Sequence, residues 1–188
     1  LAWVPRRAGE RGALDAGALA GLLPGGRPIT DPAARSEVAR VWGIEESALP
    51  QQCLSGLALH DAVDSGRIRG IVVGGVELSD YPHDATEALG KVDFIVSLEN
   101  HHSAVTAMAD VVLPVGVVTE KSGTFLDWEG RPRPFGQVFR DAMMNSDAAV
   151  LAMLADSMGH SLPGAVNELR AQMGSLGPWT GVRERSSI

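Results

Sequence analysis

The chain has 188 residues, 45% of them hydrophobic and 21% charged, close to ordinary globular usage, which excludes a disordered, collagen-like or disulfide-knotted polypeptide. Asp and Glu total 23 against 16 Lys and Arg, a net charge of −7, and no basic run of five or more occurs, so nucleic acid is not an expected partner. No stretch approaches the roughly eighteen apolar residues of a membrane span, and Leu1-Ala2-Trp3-Val4-Pro5-Arg6-Arg7 lacks the apolar centre of a signal peptide. Neither a transmembrane segment nor a signal peptide is expected, and a chain opening on Leu1 is expected to be a piece of something longer.

In chain order, residues 1–50 read as a Gly/Pro-rich extended connection plus one short helix. Gly9, Gly12, Gly17, Gly21 and Pro24-Gly25-Gly26 interrupt any periodicity up to residue 30. Asp31-Pro32 then supplies an N-cap and a proline at the first helical position, and Ala34, Val38 and Val41 repeat at helical spacing up to Gly43, predicting a helix over 32–42. A second helical pattern covers 53–65, with Gly66 as its stop. On that face Cys53, the single cysteine, reads as a buried structural thiol, and it excludes an internal disulfide or a Cys-rich metal centre built by this segment alone.

Residues 51–160 carry the strongest pattern. Gly70-Ile71-Val72-Val73-Gly74-Gly75-Val76 is a β-branched run closed by glycines, the mark of a strand buried on both faces. Val92-Asp93-Phe94-Ile95-Val96-Ser97-Leu98 and Asp110-Val111-Val112-Leu113-Pro114 repeat it, with helical segments over 84–89 and 101–109 between them. Alternation of this kind predicts an α/β fold, a Rossmann-like open parallel sheet with flanking helices. A long loop spans 114–135, a last helix covers 147–158 behind Ser146, and the tail 161–188 offers only a helical turn near 166–173, reading as disordered or as part of a truncated following domain.

Ligands of open parallel sheets sit at the carboxyl ends of the strands. This singles out Gly74-Gly75, Glu99-Asn100-His101-His102 and the loop after Pro114. The glycine pair lets a ligand approach the backbone, but by itself it reads more readily as a tight strand-to-helix turn. No Gly-x-Gly-x-x-Gly or phosphate-loop motif is present, which argues against an ordinary NAD dehydrogenase or a P-loop ATPase. Adjacent His101 and His102 cannot face one way on a helix, so they read as exposed helix-start residues and no metal site is expected. No nucleophile elbow exists and no catalytic residue is assigned. The stretch 119–131 is dense in charge, hydroxyl and glycine; it reads as a functional or interface loop, or as one pinned by ion pairs among Glu120, Lys121, Glu129 and Arg131.

Ala109-Asp110-Val111-Val112-Leu113-Pro114, then Thr119-Glu120-Lys121-Ser122-Gly123-Thr124-Phe125 and Trp128-Glu129-Gly130-Arg131, together resemble the signature of the molybdopterin oxidoreductase superfamily. Leu1 to Gly9, Leu22-Leu23-Pro24-Gly25-Gly26-Arg27-Pro28 and Trp128 to Phe135 are similar to the branch of that superfamily found in the peripheral arm of bacterial NADH-quinone oxidoreductase, respiratory complex I. The resemblance spans roughly residues 1–160. It implies a fragment of a large subunit whose iron-sulfur clusters lie in more N-terminal domains. The segment would then be structural, with no chemistry and no cofactor of its own, partnered by other hydrophilic complex I subunits on the cytoplasmic face of the inner membrane. The alternative it implies is the cofactor-binding domain of a molybdopterin-dependent catalytic subunit, formate dehydrogenase-like, holding molybdopterin guanine dinucleotide. A third reading, from the α/β pattern alone, is a stand-alone nucleotide-binding or interaction module. In the superfamily the cofactor contacts would map onto Gly74, Gly75, Glu99, Asp110, Gly123 and Thr124. Asp127 stands where the superfamily has Asn; an acid there adds repulsion toward a pyrophosphate and removes two donors.

Overall fold

The computed structural model describes residues 9–81, 85–127, 129–139 and 143–182. In chain order its elements are α1 (Glu10–Asp15), β1 (Leu22–Leu23), β2 (Arg27–Pro28), α2 (Pro32–Trp42), α3 (Gly56–Asp64), β3 (Gly70–Gly74), α4 (Ala85–Leu89), β4 (Phe94–Glu99), α5 (Ala104–Met108), β5 (Val111–Pro114), β6 (Gly123–Leu126), β7 (Pro132–Phe135), α6 (Asp147–Ser157) and α7 (Val166–Leu176). They divide into two units: one from Leu1–Leu54, Ser122–Phe135 and Ala165–Ile188, the other from Ser55–Lys121 and Gly136–Gly164.

The second unit is the expected α/β fold. Its sheet has three parallel strands in the order β3-β4-β5, with Ile71 opposite Ile95 and Leu98 opposite Leu113. Because side chains alternate, one face sends Val73 and Ile95 against Val63 of α3, Ala88 and Leu89 of α4 and Val105 of α5. The other face packs Leu98 with Val115 and Val150 of α6. Burial on both faces, expected for the first strand, does not hold along its length. Val72 is 56% exposed and Phe94 49%, because on that face α6 reaches only the carboxyl half of the sheet.

Local chemistry sets the helix ends. The Ser146 hydroxyl accepts the Ala149 N–H and starts α6 at the expected residue. The helix expected from residue 101 starts at Ala104, because Ser103 and Thr106 form a reciprocal capping box there. The helix expected from residue 53 starts at Gly56, leaving Cys53 outside it and exposed, so the buried-thiol reading is corrected. Of the helix expected over 84–89, Asp84 lies outside the described residues, and Ala85–Leu89 is helical.

In the first unit, α2 matches its prediction: the Asp31 carboxylate accepts the Ala33 and Ala34 N–H groups, and Gly43 closes the helix at φ +66°. Of the stretch expected to be an extended connection, residues 1–8 lie outside the described residues, and 9–30 hold α1 and a β1–β2 hairpin whose Pro24-Gly25-Gly26 turn uses two left-handed glycines. The long loop also contains regular structure: β6 and β7 pair antiparallel, and Phe125 stacks on Phe135 with ring centroids 4.9 Å apart. The tail's expected turn extends into α7, whose Leu176 packs on a core of Leu23, Ile29, Val38, Ala39 and Leu49.

Arg27 organises this unit. It is 1% exposed, and its guanidinium donates to Glu37 Oε2 at 2.9 Å and to the carbonyls of Pro24, Leu176 and Gly177 at 3.0, 2.7 and 3.3 Å, while its carbon centre lies 5.6 Å from the centroid of the Trp179 ring. A buried charge is tolerable when its donors are satisfied in this way.

Candidate functional site

The carboxyl ends of the parallel strands bring together part of the anticipated set. Gly74 ends β3, and Gly75 turns the chain at φ +61° with its N–H on the Leu98 carbonyl. Glu99 ends β4 and is 7% exposed; its Oε1 accepts the Asn100 N–H at 2.9 Å and lies 3.2 Å from His101 Nδ1. Beside it opens a cavity of about 430 Å³, lined by the segment Glu99 to His102, the ends of β5 and α5, and Val117, Glu120 and Met144. Glu120 Oε2 accepts the Val117 N–H at 3.1 Å, which folds the segment after β5 into a tight turn. Two carboxylates therefore border one space, and His101 and His102 stand exposed at its edge.

Asp110 belongs elsewhere. It precedes β5 at the amino end of the sheet, where its Oδ2 accepts the Ile95 N–H at 2.7 Å and its own N–H donates to the Ile95 carbonyl at 2.9 Å. This pins the register of β4 against β5, at the end of the sheet opposite Glu99.

Gly123 and Thr124 open β6 in the first unit. The guanidinium of Arg170, on α7, donates to Thr124 Oγ1 at 3.0 Å and to the Gly123 carbonyl at 2.6 Å. Asp127, after β6, accepts the N–H groups of Glu129 and Arg131 at 3.0 and 2.9 Å, Arg131 Nε at 3.0 Å and Arg133 Nη2 at 3.1 Å. The Arg131 backbone N–H, followed by the two guanidinium charges, holds its carboxyl below the usual carboxylate range. The anticipated pinning of this stretch is thus partly right: Arg131 pairs with Glu129, and Lys121 pairs with Asp147 of α6. Trp128 lies outside the described residues.

Sequence reasoning missed Arg170, which sits on a helix it did not foresee at full length, and it gave Glu120 only an ion-pair role. A polar side chain aimed at a segment 46 residues away leaves no trace in local spacing. Glu120 carried a signal, being an acid just after a strand end, where ligands gather in open sheets.

Comparison with known proteins gives the class first. Residues 55–146, covering the parallel sheet and the β6–β7 hairpin, match the model of the molybdopterin oxidoreductase family. Along 97% of its length it is 47% identical to the G subunit of the NADH-quinone oxidoreductase of Streptomyces coelicolor, and along 96% it is 46% identical to the corresponding subunit in Mycobacterium bovis. It is also 32% identical, over 64% of its length, to the putative formate dehydrogenase YrhE of Bacillus subtilis. The chain spans 22% and 23% of the length of the two NADH-quinone oxidoreductase relatives, and 12% of the third.

Proposed function

We propose that the chain is a segment of the large peripheral-arm subunit of a respiratory NADH:quinone oxidoreductase, where it is a structural support beside the iron-sulfur electron-transfer chain and does no chemistry of its own. The observation that carries this reading is the near end-to-end similarity to the Streptomyces coelicolor subunit, 47% against 32% over a shorter stretch for a formate dehydrogenase-like relative. Its partners are then other hydrophilic subunits, on the cytoplasmic face of the membrane. Among the described residues no helix is long and apolar enough to cross a membrane.

The side chains favour this reading over a molybdopterin guanine dinucleotide site. A pyrophosphate needs converging donors. Here the strand-end cavity is bordered by the carboxylates of Glu99 and Glu120, which repel an anion. Gly123 and Thr124 are engaged by Arg170, and Asp127 by its own arginines. This donor set does not fit the cofactor.

The test is elemental mass spectrometry on the full-length polypeptide purified from its native membranes, with molybdenum normalised to iron. Iron with essentially no molybdenum is the expected result. Near-stoichiometric molybdenum would overturn the reading and make Gly74, Gly75, Glu99, Asp110, Gly123 and Thr124 the first positions to test as cofactor contacts.

A further inference from the structure

We infer that the strand-end cavity of the second unit is a docking socket for an arginine side chain of a partner protein, flanked in that partner by apolar residues. The inference rests on the scaffold reading for one point, that the occupant is a protein. Three observations carry it.

The first is charge. Glu99 is 93% buried, yet it lines the cavity, and its one acceptor bond and its histidine contact both involve Oε1. Among the described residues, Oε2 takes no hydrogen bond. A carboxylate oxygen that keeps its acceptor sites open beside a cavity offers them to a donor that reaches in. Glu120 borders the same space with a second carboxylate. A net charge of −7 deepens the attraction for a cation.

The second is the wall. Val112, Val115, Val117 and Met144 line the same cavity, so an occupant needs an apolar stem behind its charge. Arginine has a three-carbon stem, a weakly hydrated head and five donors in a planar fork suited to carboxylates. Lysine offers a compact, strongly hydrated point charge, which suits a half-apolar socket less well.

The third is the rim. The Thr119 carbonyl accepts both the Val138 and Phe139 N–H groups, and the Asn145 carbonyl accepts the Gly116 N–H, so these segments lie beside the stretch that supplies the lining residues Val115, Val117 and Glu120. They present Val118 at 48% exposure, Phe139 at 60% and Met143 at 96%. A small cation would leave this apolar rim in water. Apolar residues on either side of a bound arginine would cover it, and methionine suits an adaptable contact of this kind.

The experiment places the photo-crosslinking residue p-benzoylphenylalanine at Val118 of the full-length polypeptide in its native membranes and identifies the captured peptide by mass spectrometry. The expected product is a peptide with an arginine between apolar residues, drawn from another subunit of the oxidoreductase. Its yield should fall about tenfold in the double variant Glu99→Gln, Glu120→Gln, since a charged pair is replaced by neutral groups. Glu99→Gln keeps an oxygen for the Asn100 N–H, and a thermal midpoint within a few degrees of wild type certifies the fold. Glu120→Gln alone should give an intermediate loss. Such a peptide from a protein outside any oxidoreductase would support the socket and overturn the scaffold reading. A captured peptide without arginine, a second copy of this chain, or a yield indifferent to the two glutamines would overturn the socket and leave the scaffold reading intact.

Discussion

The two units are held together by different means. In the second, neighbouring strands are also neighbours in sequence: β3, β4 and β5 follow one another, and apolar side chains from the intervening helices fill one face. In the first, segments from three parts of the chain meet through the packing of Leu176 on the small core and are fixed in place by guanidinium groups, Arg27 on the carbonyls that end and follow α7 and Arg170 at the start of β6. Dispersion and the hydrophobic effect dominate where the chain folds back on itself at short range, whereas directional bonds fix the geometry where distant pieces must meet. The former tolerates rearrangement and the latter does not, because an arginine that loses its partners strands both itself and them.

The comparison can be broken by substitution, with hydrogen exchange as the readout. Ile95→Ala removes a side chain that is 2% exposed at the centre of the parallel sheet and should cost about 4 kcal/mol, with exchange rising across residues 63–115. Arg27→Ala should cost about 3 kcal/mol by orphaning three carbonyls, with exchange rising in β1, β2, α2 and α7. If either variant raises exchange equally everywhere, the contrast between the units fails. Asp31→Ala loses the cap of α2 and should cost about 1 kcal/mol in urea unfolding.

The smallest effect is confined to acid. The carboxyl of Asp127 is held below its ordinary range, so its contribution to stability is complete above that range and is lost as the pH falls through the depressed value. Asp127→Asn cannot gain a proton, and its thermal midpoint should be flatter with pH over that window. An unchanged acid limb would show that the Arg131 and Arg133 contacts do not stabilise the hairpin.

The same contrast explains what the sequence made legible. The glycine-bounded β-branched runs, the Asp31-Pro32 start and the Ser146 cap are local signals, and the elements they announce are present. The site was half legible, because the strand-end rule found Glu99 and its neighbours from order alone. Asp110 was grouped with the strand ends because it lies inside the superfamily motif that starts at Ala109, while geometry uses it to lock the start of a strand. Cys53 was misplaced because an apolar pattern fits a helix starting at 53 as well as one starting at 56, and the glycine decided. Arg170 carried no local signal at all.

Arg27 bonds to carbonyls 149 and 150 positions further along the chain, and that separation has a consequence during synthesis. At ribosomal rates of about 5–20 residues per second, its partners emerge on the order of ten to thirty seconds after it does. The Ser55–Lys121 segment, all of whose strand partners are local, can be complete well before then. Throughout that interval Leu23, Ile29 and Val38 wait beside an arginine without its carbonyl partners, so residues 22–49 are the stretch of this segment that gains most from a chaperone's cover.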